Sequence, residues 1–182
     1  MGEIKPTPNV LPILAMFSRH ASALAWARRQ VERAWGPVAL ASEEFPFTDT
    51  DYYLGPMGTD LKKCFLAFEQ LIDPEGLAGM KIRSNRWEEV YRDTHDHGEL
   101  RPLNLDPGYL TEAKLVLATT KDRDHRIYLS QGIFAEVTLS YTGGRWRHRE
   151  WTYPDYRRPV YHAFFDRCRK YYRRRLGRSG DS

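Results

Sequence analysis

Hydrophobic spacing along the chain switches between the strand and helix periods, and most elements follow from that switch. Residues 10–17 form a continuous apolar run of strand length, which suits a strand buried on both faces. Residues 19–35 then place Ala21, Leu24, Ala25, Arg28, Val31 and Trp35 at helical spacing. Ser18 is the expected N-cap, and Gly36-Pro37 the stop. Extended patterns return over 38–47. Thr48-Asp-Thr-Asp51 reads as a turn, and Tyr52-Tyr-Leu54 as the start of a third strand. In 62–72, Cys64, Leu66 and Phe68 alternate with Lys63, Phe65 and Ala67, a strand pattern. Asp73-Pro-Glu-Gly76 opens a second helix whose inner face is expected at Trp87, Val90 and Tyr91.

The second half reads differently. Residues 93–99 are polar and loop-like, and His95-Asp-His97 is taken as solvated there. Pro102 to Asp106 is extended, with a turn expected at Pro107-Gly108. Residues 111–120 fit either a short helix or a strand. Runs at 127–129, 133–141 and 145–151 predict a β meander, and Gly143-Gly144 is a two-residue hairpin turn between the last two. Pro159 to Leu176 is a final helix with Val160, Phe164, Phe165, Cys168 and Tyr172 near one stripe. The expected fold class is α+β. A mixed or antiparallel sheet has a ferredoxin-like β-α-β-β-α start, then the meander and the last helix. A single domain is expected over 5–176, with a disordered basic tail over 177–182.

Composition narrows the partners. With 41% hydrophobic and 29% charged residues, a chain of 182 residues can bury a core. The net charge is +4, and Arg167, Arg169, Lys170, Arg173, Arg174, Arg175 and Arg178 carry the excess. The remainder is slightly acidic, so the surface as a whole is no nucleic-acid platform. An RNA contact would fall to the C-terminal helix, whose cations equally suit the helix dipole. Cys64 and Cys168 stand alone, without disulfide or zinc spacing, which fits a reducing, cytoplasmic compartment. Glu3, Pro6, Pro12 and Arg19 argue against reading the opening run as a secretory leader. No run reaches the roughly 20 apolar residues of a membrane span.

The chemistry concentrates between residues 104 and 157, where polar groups interrupt apolar runs. Asp106 can hold a substrate hydroxyl or a metal, or else serve the expected turn. Lys121 and Arg126 can bind phosphate or carboxylate, Arg126 as a bidentate fork, or belong to a solvated loop. His125 can move a proton near neutral pH. Glu136, in a strand with Phe134 and Thr138 on its face, is a candidate general base or a structural partner of Arg126 or Arg145. Asp155 and Arg157 remain candidates for ligand contact. Trp151 and Tyr153 are read as packing the last helix onto the sheet. Asp106, Glu136, Asp155 and His125 can ligate a metal, but their spacing demands none. His125 and Glu136 are thus the catalytic candidates, and Asp106, Lys121, Arg126, Asp155 and Arg157 the ligand-binding ones. The sequence leaves the cofactor and any metal dependence open. The preferred function is binding of an anionic small molecule of the nucleotide type. The alternative is a non-enzymatic RNA-binding module using a sheet face and the basic C-terminal helix.

Several longer motifs carry a family resemblance. They include Phe45-Pro-Phe47, Asp51-Tyr-Tyr53, Leu71-Ile-Asp-Pro74 and Asn104-Leu-Asp-Pro-Gly-Tyr109. Lys114-Leu-Val-Leu-Ala-Thr-Thr-Lys121, His125-Arg-Ile-Tyr-Leu129 and Trp151-Thr-Tyr-Pro-Asp-Tyr156 complete them. Over about 5–172 the chain resembles a prokaryotic family of short proteins catalogued as domain of unknown function 4416. The resemblance implies no catalytic residues. It brings a GTP-binding label carried by some members. The sequence has no Gly-x-x-x-x-Gly-Lys-Ser/Thr phosphate loop, and the guanine-reading echo at Thr120-Lys121-Asp122 has Arg123 where an aspartate belongs.

Overall fold

A computed structural model describes residues 2–178 of the chain. The strands are β1 (Leu11–Ser18), β2 (Val38–Ala41), β3 (Phe45–Pro46), β4 (Lys62–Phe68), β5 (Asn104–Leu110), β6 (Lys114–Thr119), β7 (Ile127–Ser130), β8 (Ile133–Thr142) and β9 (Arg145–His148). The helices are α1 (Ala21–Trp35), α2 (Leu54–Met57), α3 (Leu77–Thr94) and α4 (Pro159–Arg175). All strands join one antiparallel sheet in the order β2-β4-β1-β5-β6-β8-β7, with β3 against β4 and β9 against β8. Because β1 and β2 both pair antiparallel with β4, they run parallel, and α1 is the crossover between them. The fold is a single α+β domain.

Every residue of β1 is buried, since the strand is central and helices cover both sheet faces. Alternation sorts its side chains. Leu11, Ile13 and Ala15 join Tyr161, Phe164, Phe165 and Cys168 of α4. Leu14 and Met16 join Ala23, Leu24, Ala27 and Val31 of α1 and Tyr91 of α3. Each large side chain withdrawn this way contributes about 1.5–3 kcal/mol of apolar transfer. The Gly143-Gly144 turn is as expected. Both glycines have positive φ, 61° and 74°, which a two-residue hairpin matching strand twist requires.

Several expectations need correction. Tyr52 and Tyr53 lie in a single 3-10 turn, Asp51–Tyr53, and Leu54 begins α2, so no third strand starts there. The Thr50 hydroxyl accepts the Tyr52 N–H and bends the chain into that turn. Ser18 is not the N-cap of α1, because the helix begins after His20. Its hydroxyl instead donates to the Pro102 carbonyl at 2.6 Å. Val90 and Val160 are exposed rather than inward. Trp151 does not pack α4 onto the sheet. Its ring stacks on His125 and its indole N–H donates to the Val137 carbonyl, while buried Trp146 meets Phe165. His95 and His97 are not simply solvated: both stack on Tyr91, whose hydroxyl bonds His97 at 2.7 Å.

The Asn104–Tyr109 motif is the largest correction. It is strand, not turn, and β5 runs straight through Pro107 and Gly108. Glycine is required because a Cβ at position 108 would collide with the Val116 carbonyl oxygen of β6. Residues 111–120 resolve as strand β6 after a short connection. Of the tail expected over 177–182, residues 179–182 lie outside the described residues. Within the described part, the Arg178 guanidinium pairs with Glu112.

Candidate functional site

The site begins where two strands separate. The β5–β6 ladder covers only Gly108 to Leu110 against Leu115 to Leu117. Toward the start of β5 the strands part, although β1 still pairs with β5 down to Asn104. The freed edge exposes backbone polar groups that need partners. Side chains of α3 supply them. Glu88 accepts the Leu105 N–H at 2.6 Å, and Lys81 donates to the Leu105 carbonyl at 2.9 Å. Lys81 and Glu88 lie on one helical stripe, Leu77, Lys81, Ser84, Glu88 and Tyr91, that faces the sheet.

A cavity of about 400 Å³ fills the gap. Its walls come from both sheet faces: Lys81 and Arg101 from the α3 side, Lys63, Asp155 and Tyr156 from the α4 side. Asn104 and Asp106 of β5, Thr119 of β6 and Glu136 of β8 also line it, with Tyr52, Tyr53, Lys121 and Tyr153. Alternation explains the β5 contribution. Asn104 and Asp106 share a face with Leu110, opposite Phe17 and Ala15 of β1.

Its charges are paired. Lys63, 3% exposed, lies 2.5 Å from buried Asp155. Its ammonium also sits 4.4 Å from the Tyr156 ring centre and 4.9 Å from that of Phe47, an aromatic surround suited to a cation. Lys81 bonds Asp106 at 2.9 Å, and Asn104 donates to the same carboxylate at 2.7 Å. Burial would raise the Asp106 carboxyl, but the charge and hydrogen bond of Lys81, with Lys63 and Arg101, hold it below its ordinary value. Burial pushes Glu88 up, against the pull of Lys81 and Arg101. Arg101 gives Nε and Nη2 to Glu88. Burial, reinforced by Asp106, raises the Tyr53 phenol. Tyr156 is raised further, by burial first and then by Asp155 and Asp106. Its hydroxyl is buried without a hydrogen-bond partner among the described residues.

The outer side of the cleft holds the candidates from 121 to 136. Glu136 is 3% exposed. Its Oε2 accepts from Arg126 Nε at 2.8 Å and lies 3.3 Å from His125 Nε2. Arg126 also donates to the Lys121 carbonyl and the Tyr153 hydroxyl, both at 2.9 Å. His125 and Arg126 are not among the lining residues. They hold Glu136 from behind. Exposed Lys121 donates to the Tyr52 hydroxyl at 2.9 Å across the mouth. That bond, with the lysine's charge, lowers the Tyr52 phenol.

The cavity therefore brings together Asp106, Lys121, Glu136 and Asp155, with His125 and Arg126 in support. Arg157 stands apart: it is exposed and donates to the Thr152 and Glu150 carbonyls, fixing the turn before Tyr153. Lys63, Lys81, Glu88 and Arg101 escaped the sequence reading. A signal existed for the first three, since each is polar on a stripe that is otherwise inward. No group of three His, Cys, Asp or Glu among the described residues is placed to hold a metal. Cys64 and Cys168 are free and buried, and burial pushes the Cys64 thiol up to about 12.

The fold and site define an antiparallel α+β protein with a tyrosine-rimmed, ion-paired cleft at a parting of its sheet. The chain belongs to the family described as Domain of unknown function (DUF4416), whose model matches residues 8–172. No curated protein and no solved structure matches it. No helix among the described residues is long and apolar enough to cross a membrane.

Proposed function

We propose that the cleft binds an anionic small molecule of the nucleotide class, and that the protein does so in the cytoplasm. The observation carrying this reading is the convergence of Lys63, Lys81, Arg101 and Lys121, from four separate segments, on one cavity rimmed by tyrosines. Lys63 and Lys81 already face carboxylates at close range. Arg101 and Lys121 are the available anion ligands. Glu88 takes two of the five guanidinium donors of Arg101, and the partner of Lys121 is a neutral phenol. Tyr52, Tyr53 and Tyr153 offer ring faces on which a base can stack. The volume suits a small ligand.

The test is a thermal-shift series of GTP, ATP, nucleoside monophosphates and inorganic phosphate on the wild type and on Lys121→Ala. At a ligand concentration 100 times Kd, binding adds about 2.7 kcal/mol, a rise of about 5–10 °C for a domain of this size. Lys121→Ala is expected to keep the melting temperature of the free protein and to lose about half of the shift at the same ligand concentration. A wild type unmoved by every phosphate compound ends the proposal. The alternative, an RNA-binding module, gains no support from the central strands, since helices cover both of their faces. Two of the tail arginines are also engaged in the fold: Arg169 donates to the Glu112 carbonyl and Arg175 to that of Glu69.

A further inference from the structure

We infer that the deep half of the cleft reads the vicinal hydroxyls of a ribose-type sugar through Tyr156 and Asp106, with the ligand's phosphate held outward by Lys121 and Arg101. This rests on the proposed nucleotide-class binding and assigns its direction and its sugar.

Depth sorts the polar groups. The innermost are Lys63, Asp155, Asn104, Glu136 and Tyr156, each at most 3% exposed. Among them the carboxylates outnumber the lysine, and that lysine is neutralised at 2.5 Å. A phosphate placed there would meet Asp155 and Glu136 and lose its water, a costly arrangement. Asp106 stands at mid-depth, its side chain 29% exposed, and Arg101 and Lys121 lie further out: the Arg101 side chain is 37% exposed, and Lys121 is exposed. The anion therefore belongs at the mouth. Carboxylates inside a site for an anionic ligand have a natural use in accepting hydrogen bonds from hydroxyls. The same chemistry lets an acidic side chain read ribose in other nucleotide sites.

Tyr156 is the independent observation. It is 2% exposed, it lines the cavity, and its hydroxyl has no partner among the described residues. Native structures rarely leave a buried hydroxyl unmet. Its ring cannot swing away to find one, because it lies parallel to Phe165 and edge-on to Phe65. Tyr156 lines the same cavity as Asp106 and Asp155, so a diol seated there can donate to a carboxylate while it meets the unpartnered phenol. One hydroxyl of the pair then meets Tyr156, and its neighbour meets Asp106, which Lys81 keeps ionised.

The experiment is isothermal titration calorimetry with ribose 5-phosphate against 2-deoxyribose 5-phosphate, and GMP against dGMP, on the wild type and Tyr156→Phe. The expected result is that the wild type binds each ribo compound at least about tenfold more tightly than its deoxy counterpart, the value of one good hydrogen bond. Tyr156→Phe should fold normally, since it keeps the ring, and should reduce that preference several-fold. Equal binding of ribo and deoxy compounds by the wild type overturns the inference and leaves nucleotide-class binding standing. A full preference retained by Tyr156→Phe overturns the role of Tyr156. Failure of all four compounds to bind overturns both readings.

Discussion

One face of β5 shows two solutions to the same problem. At its end, Leu110 pairs with Leu11 and Leu115 and joins the aromatic core under α4. At its start, on the same face, Asn104 and Asp106 look into the charged cleft. The apolar end has a hydrogen-bonded neighbour on both sides. The polar end has β1 on one side only, and on the other the side chains of Lys81 and Glu88 stand in for the missing strand. Charge is thus buried where the sheet opens, and each charge carries a partner: Lys63–Asp155, Lys81–Asp106 and Arg126–Glu136. Buried ion pairs seldom stabilise a fold better than apolar packing of equal volume. Three of them around one cavity therefore point to use rather than to stability.

The sharpest way to break the contrast is to leave one deep charge alone. Lys63→Ala strands Asp155 at 4% side-chain exposure and also empties the aromatic surround. A loss of about 3–5 kcal/mol is expected in urea denaturation at neutral pH. The pairing argument makes a second demand. Lys63→Met with Asp155→Leu should recover most of that loss, because both charges go together. A double variant no more stable than Lys63→Ala would show that packing, not pairing, sets the cost.

Lys81→Ala tests the substitute for the missing strand and has a pH signature. The variant should lose about 3 kcal/mol at pH 7, since it deprives both Asp106 and the Leu105 carbonyl of a donor. Asp106 is held below its ordinary value in the folded state. Its contribution is therefore present above the unfolded carboxylate value of about 4 and is lost as pH falls through the folded value. The gap between wild type and variant should narrow below about pH 4. Glu88, pushed up by burial against the pull of Lys81, rises further in the variant, so it too costs the variant more at neutral pH and narrows the gap as pH falls. A gap constant from pH 7 to pH 3 would detach Lys81 from Asp106.

Gly108→Ala acts at the hinge between the two regions. The new methyl would meet the Val116 carbonyl oxygen and the Leu117 side chain. Because the nearest atom is backbone, the ladder itself must shift, at a cost of about 1–3 kcal/mol. Chemical-shift changes should spread along β5 and β6 and reach the cleft. Changes confined to position 108 would mean that the parting of the strands is set elsewhere.

The sequence made these regions unequally visible. β1, the Gly143-Gly144 hairpin and α4 follow from periodicity and turn chemistry, because local pattern and tertiary burial agree there. Pro107-Gly108 misled because the pair usually turns a chain. Here the glycine answers to close approach by a strand distant in sequence, which no local pattern encodes. Asp106, Lys121, Glu136 and Asp155 stood out as charges at the ends of apolar runs, and they do reach the cavity. Lys81 and Glu88 stay hidden when the inner face of α3 is drawn through Trp87, Val90 and Tyr91, of which Tyr91 alone is buried. Read at helical spacing from Leu77, the stripe passes through both charges to buried Tyr91. Arg157 looked like a ligand contact, yet it serves carbonyls within seven residues of itself, a role that charge alone does not reveal.

Lys121→Ala is the mildest change and sharpens the comparison from the functional side. Lys121 is exposed, and its contact with Tyr52 is the link between the loop after β6 and the turn before α2. Removing a surface side chain of this kind should alter stability by no more than about 0.5 kcal/mol. The Tyr52 phenol, lowered by that lysine, should titrate at higher pH in the variant, which ultraviolet absorbance can follow. If the mouth of the cleft holds the ligand's anion, nucleotide affinity should fall about tenfold while the melting temperature of the free protein stays put. Deep and outer residues would then separate cleanly: Lys63 and Lys81 change stability, and Lys121 changes binding. A Lys121→Ala variant that binds every phosphate compound as the wild type does would move the anion site inward, to the ion pairs that the structure already neutralises.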